Sequence, residues 1–287
     1  MPYLYTSDAY SPQEIAKRVE KTGVIKAQAH YLQTFMLGVM AGGFIAMGGL
    51  FYTIIAADPS LNPTAGRLLG GVVFATGYII TLLAGAEVFT SNNLLAMTFA
   101  SRRITLRQLL KNWGIVLLAN AVGAFGMAAL FVMSGLHRME DGAVGTLAYQ
   151  LGLAKTELTM LESFSRAVLG NLFVCIAVWI SLGGRSIADK VLGVLLPLTA
   201  LSALSLEHIV VSLYYVPRAL LLAAFYPEYA QNEPMEMTVA FLWRHIIPVI
   251  IGNIIGGSVM VASVYYIIYL RLSPPSSNTT PELTSKD

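Results

Sequence analysis

Two ionisable interruptions inside otherwise apolar sequence are where this chain could do chemistry. The first is Glu87, followed closely by Thr90, Ser91, Asn92 and Asn93. The second is the adjacent pair Glu207 and His208. The surrounding stretches, 68–101 and 191–217, hold no other charged residue. An ionisable group near the middle of a membrane span is costly and by default marks a pathway. The His208 ring changes charge near neutral pH, so it could share a proton or hydrogen bond with an anion crossing an apolar constriction. The competing reading is a neutral core histidine bonded to Thr90 or to a backbone carbonyl. Its place beside Glu207 at a helix break favours the pathway. A carboxylate would repel an anion, so Glu87 and Glu207 read as anchors that cap free backbone N–H groups of the opposing half-helix. Lys155 is open to two readings, an ordinary interfacial lysine or an attractor for anions at a pore mouth.

Other chemistries find no support. His30, His137 and His245 fall at expected span boundaries and read as incidental. There is no His-x-x-x-His pair, no phosphate-binding loop and no nucleophile motif, and the run Gly183, Gly184, Arg185, Ser186 reads as a turn. The single cysteine, Cys175, excludes a disulfide framework and a cysteine-based metal site. We therefore expect no metal, no cofactor and no enzymatic activity.

The elements that must position these groups are membrane spans. The chain is 56% hydrophobic and only 12% charged, with mean hydropathy +0.66, an all-α integral membrane composition. The net charge of +2 gives no reason to expect nucleic acid as a partner. Apolar windows place six transmembrane helices at about 31–57, 68–101, 113–136, 167–182, 191–225 and 246–270. The second and fifth are too long for one straight crossing, which takes about 20 residues, and each contains an interruption. Ser11, Pro12 and Glu14 open a short amphipathic helix, about 11–24, expected to lie at the membrane surface. Residues 1–272 form one transport domain and 273–287 a disordered tail. Lys17, Arg18, Lys21, Lys26, Arg102, Arg103, Arg107, Lys111, Arg185, Lys190 and Arg271 fall on one side of the bilayer. Asp58, Glu140, Asp141, Glu228, Glu233 and Glu236 fall on the other. The positive-inside rule then puts both termini in the cytoplasm, in a multi-pass protein of the cytoplasmic (inner) membrane.

The third and sixth spans share a pattern, Asn120-x-x-Gly123 and Asn253-x-x-Gly256. With three spans per half, the halves are expected to form an inverted repeat. The paired asparagines, each well inside its helix, read foremost as structural packing residues that hydrogen-bond a neighbouring helix where glycine allows close approach. Gly38/Gly42, Gly66/Gly70 and Gly252/Gly256 are small-xxx-small pairs suited to close helix contact.

Over residues 11–272 the chain resembles the formate/nitrite transporter family. The match rests on Glu87-Val88-Phe89-Thr90-Ser91, Lys111-Asn112-Trp113 with Asn120, the run Gly170 to Trp179, Gly184-Arg185-Ser186 and Glu207-His208. The resemblance implies an aquaporin-like protomer in a homopentamer that passes formate or similar small monovalent anions. It implies a pore histidine paired with a threonine, at His208 and Thr90, and a lysine–asparagine set at Lys155 and Asn171. The family's constrictions fall by count on Phe74, Tyr78, Val88, Leu201 and Leu206. Tyr78, Leu201 and Leu206 depart from the residues expected of formate channels, which leaves nitrite, then hydrosulfide, as alternative cargo. A neutral-solute channel ranks lower, because paired Asn-Pro-Ala loops are absent from the sequence.

Overall fold

The computed structural model describes residues 9–231, 234–235 and 239–272. Residues 1–8, Glu233, Glu236 and the tail 273–287 lie outside the described residues. Helix α1 (Pro12–Gln28) begins at a capping box in which Ser11 and Glu14 satisfy each other's backbone N–H groups. It buries Ile15, Ala16, Val19 and Gly23 and packs on the elements carrying the breaks and on the fourth long helix. It runs four residues beyond the expected end at 24. Only at Ala29 does the backbone become extended, where His30 caps the next helix. That extra turn carries Lys26.

Five of the described helices are long and apolar enough to cross a membrane: α2 (Tyr31–Ala56), α3 (Pro63–Leu83), α5 (Leu106–Met133), α7 (Met160–Gly183) and a last helix, Leu242–Arg271, that alternates α and π turns. Between them lie α4 (Leu95–Ala100), α6 (Ala143–Glu157), α8 (Ile187–Ala203) and the shorter apolar α9 (Ile209–Phe225). Both long stretches break as expected, α3 from the turn Ser91–Leu94 and α4, and α8 from α9. The two breaks are built alike. Each helix ends in a left-handed residue, Gly85 (φ 71°) or Ser205 (φ 51°). The next N–H then reaches back five residues, from Ala86 to the Thr81 carbonyl and from Leu206 to the Leu201 carbonyl. This is the helix stop in which an αL residue lets late N–H groups satisfy orphan carbonyls.

Close packing holds the bundle. Helix α2 lies against α3 and α5, α3 against α8, and α7 against α8 and the last helix. A Cβ on Gly38 would stand 2.6 Å from the Ala119 Cβ, and one on Gly252 2.6 Å from the Phe164 carbonyl oxygen. No methyl fits there without separating the helices. At Gly66 the nearest atom is 3.5 Å away, so that glycine is not required by its neighbours.

His137, expected to be incidental, is buried on the loop after α5 against Tyr226 (ring centroids 4.1 Å apart), with neither ring nitrogen bonded among the described residues. Burial, then the charge of Arg138, holds its pKa below the ordinary value, against a smaller opposing pull from Glu228. The unfolded chain therefore binds the extra proton first. Stability should fall as pH drops below about 6.5. Thermal unfolding in detergent from pH 7 to 5 should show this slope, and His137→Phe should flatten it.

Candidate functional site

The polar groups of the two breaks converge at the centre of the protein. The His208 Nε2 lies 2.8 Å from the Thr90 Oγ1, a hydrogen bond between residues 118 positions apart. Both side chains are buried, and the His208 Nδ1 has no partner among the described residues. Asn171 supports this pair from α7. Its amide nitrogen lies within hydrogen-bond distance of the carbonyls of Thr90 (3.2 Å) and Asn253 (2.6 Å) and of the Asn93 Oδ1 (2.9 Å). Asn171 lines neither of the cavities described below; it ties the Thr90 loop to the last helix.

The free amides at the breaks are satisfied by asparagines rather than by the glutamates expected to cap them. The Asn120 Oδ1 accepts from the Phe89 N–H at 2.9 Å, and its Nδ2 donates to the carbonyls of Gly38 and Glu87. Asn253 repeats the arrangement, accepting from Ile209 at 3.0 Å and donating to the carbonyls of Ala167 and Glu207. An amide both donates and accepts, so one side chain closes both ends of a gap that a carboxylate could serve from one side only.

The glutamates bind lysines instead. Glu207 lies 2.6 Å from the Lys155 Nζ, and both side chains are nearly withdrawn from solvent. Its other oxygen accepts from Ser212, which also contacts the His245 Nε2 at 3.0 Å. Glu87 lies 3.2 Å from the Lys26 Nζ and accepts from Asn92, which in turn donates to Asn112. His245 is thus a fully buried member of the Lys155 network, 3.7 Å from Glu207, and not an incidental boundary histidine. Lys26, which the sequence uses only to set orientation, is the counterpart of Lys155. A sequence signal for His245 existed: it precedes Asn253 by eight residues, as Asn112 precedes Asn120.

Two cavities flank the central pair. On the α1 side, about 240 Å³ is lined by Lys26, Tyr78, Val88, Ser91, Leu94 and their neighbours. On the other side, about 50 Å³ is lined by Phe74, Leu201, Leu206, Lys155, Tyr52 and Tyr215 among others. The five residues placed at constrictions therefore divide between the two mouths, Tyr78 and Val88 at one and Phe74, Leu201 and Leu206 at the other. Tyr78 is 1% exposed, and its hydroxyl faces those of Ser91 and Thr90 without a well-formed hydrogen bond. No group of three or more metal-ligating side chains exists among the described residues.

A buried polar pair between two apolar-walled cavities, each lined by a lysine paired with a glutamate of a helix break, has the form of a membrane transport pathway. The family described as formate/nitrite transporter matches residues 13–267, and the chain belongs to it. It is 37% identical over 273 residues to the formate channel FocA of Escherichia coli, covering 92% of this chain and 96% of that one. It is 32% identical to the FocA of Haemophilus influenzae, over 89% of this chain and 93% of that one. Among solved structures it resembles a pentameric formate channel with formate bound, with TM-score 0.75, 29% identity, and 84% and 98% of the two chains covered. An ion channel of the same family, 20% identical, shares the fold at TM-score 0.78.

Proposed function

We propose that the protein is a homopentameric channel for formate and similar small monovalent anions in the cytoplasmic membrane. Each protomer has its own pore, six spans and both termini in the cytoplasm. The observation that carries this reading is the Thr90–His208 contact, buried midway between two mouths. The matching hydrogen bonds of Asn120 and Asn253 and the matching stops at Gly85 and Ser205 support an inverted repeat. The α1 mouth then faces the cytoplasm and the Lys155 mouth the outside. The apolar residues Phe74, Leu201, Leu206, Tyr78 and Val88 penalise bare charge, because an ion costs far more to desolvate than its neutral acid. A proton shared with His208 lowers that barrier and makes transport pH-dependent. Lys155 and Lys26, each paired with a glutamate, line the two mouths, Ser91 offers a hydroxyl, and Asn171 positions the Thr90 loop.

Initial uptake rates into proteoliposomes, measured above protein-free vesicles for formate, nitrite and hydrosulfide between pH 5 and 8, test this. Saturable uptake with formate preferred is expected. A preference for nitrite or hydrosulfide would move the cargo, and no saturable anion flux would overturn the reading.

Tyr78 gives a narrower test. The Tyr78 hydroxyl makes only weak contact with those of Ser91 and Thr90, so Tyr78→Phe should leave thermal stability nearly unchanged. If the hydroxyl solvates the passing anion, the same variant should lose formate uptake several-fold. Unchanged uptake would reduce Tyr78 to a filler of the constriction.

A further inference from the structure

We propose that Arg218 supplies the unpaired positive charge that draws anions into the Lys155 mouth, an inference resting on the anion-channel reading. Lys155 alone does not supply it. At 2.6 Å from Glu207 it is half of a neutral ion pair. Lys26 and Glu87 form a second such pair at the other mouth. Arg218 lies ten residues beyond His208 on α9 and is 0% exposed. Its guanidinium donates to the Thr53 Oγ1 at 2.8 Å, the Ala148 carbonyl at 3.2 Å and the Tyr214 hydroxyl at 3.4 Å. All three acceptors are neutral, and no carboxylate among the described residues pairs with it. The rings of Phe131, Tyr214 and Tyr215 enclose it at 5.3, 4.8 and 4.7 Å from their centroids. These contacts soften the desolvation of a cation without neutralising it.

Tyr215 links this charge to the mouth. It lines the cavity with Lys155, whose Nζ is 6.0 Å from the same ring centroid that lies 4.7 Å from the guanidinium. Arg67 beside Tyr52 is exposed, and Arg166, whose carbonyl accepts from the Glu207 N–H, is part-exposed, so both are screened by water and salt more than a fully buried charge is. A buried charge is screened far less, and its field reaches the vestibule through low-dielectric protein. A bare charge kept at such cost inside a membrane protein marks function. The guanidinium meets the cavity lining at the Tyr215 ring, so it acts on the anion through its field.

Formate uptake into proteoliposomes separates this role from a structural one. Arg218→Gln keeps much of the hydrogen bonding and removes the charge; Arg218→Lys does the reverse. Arg218→Gln should raise the KM for formate about tenfold, equivalent to about 1.4 kcal/mol, with the maximal rate within about twofold. Arg218→Lys should keep the wild-type KM. Thr53→Asp, which retains the arginine but places a carboxylate beside it, should raise KM as Arg218→Gln does, and serves if position 218 tolerates no change. An unchanged KM in Arg218→Gln or Thr53→Asp would overturn the proposal, as would equal loss in Arg218→Lys and Arg218→Gln. Wild-type protein that carries no anion would instead overturn the channel reading, and this inference with it.

Discussion

His208→Ala is expected to reduce formate uptake by about 100-fold and to abolish its dependence on pH, with the protein still folded and its assembly state unchanged. The reason lies in the constriction. On the proposed pathway the anion would leave water between the two cavities and meet apolar walls, where only a partner able to share a proton or a strong hydrogen bond offsets the loss of hydration. The His208 ring is held by the Thr90 hydroxyl at 2.8 Å, with its other nitrogen unbonded among the described residues. Positioned proton donors of this kind contribute about 10²–10⁴-fold to the steps they serve, and the lower figure suits a barrier that the walls also shape. Alanine leaves space but no donor. Uptake within about twofold of wild type, with the pH profile unchanged, would show that the histidine is only a core residue.

Lys155→Met should destabilise the protein by about 3 kcal/mol, read as a lowered unfolding temperature in detergent. Removing one partner from a buried ion pair leaves an uncompensated charge, which costs about 3–5 kcal/mol. The lower end applies here, because Ser212 and His245 remain near Glu207. The double variant Lys155→Met with Glu207→Gln should recover most of the loss, since the two side chains are directly coupled. Lys26→Met should cost less: that pair is longer, 3.2 Å, and the Lys26 side chain is 24% exposed. A double variant no more stable than Lys155→Met alone would show that the lysine supports the fold by other contacts.

The breaks themselves are legible in the sequence, because a carboxylate inside a membrane-length apolar run is tolerated only where the helix opens or a polar partner meets it. What each polar residue bonds is not legible. Glu207 and Lys155 are 52 positions apart, and Thr90 and His208 118, so no local pattern pairs them. The glutamates resemble backbone caps because the lysines that claim them lie on other helices. An α1 ending at residue 24 leaves Lys26 outside any element, whereas the real helix carries it to the Glu87 break. A last span starting at 246 leaves out His245, although the helix is continuous from Leu242. Arg218 is visible as a lone cation inside the fifth apolar window, 191–225, but nothing local shows that its acceptors are neutral groups on other helices.

The central claim is that the anion crosses with a proton at the Thr90–His208 pair. It is tested most directly by recording the internal pH of proteoliposomes, with a trapped dye, as external formate is added at constant membrane potential. Formate-dependent acidification above that of protein-free vesicles is predicted, one proton per formate taken up, together with its loss in His208→Ala. Formate entry as a current without acidification would contradict it.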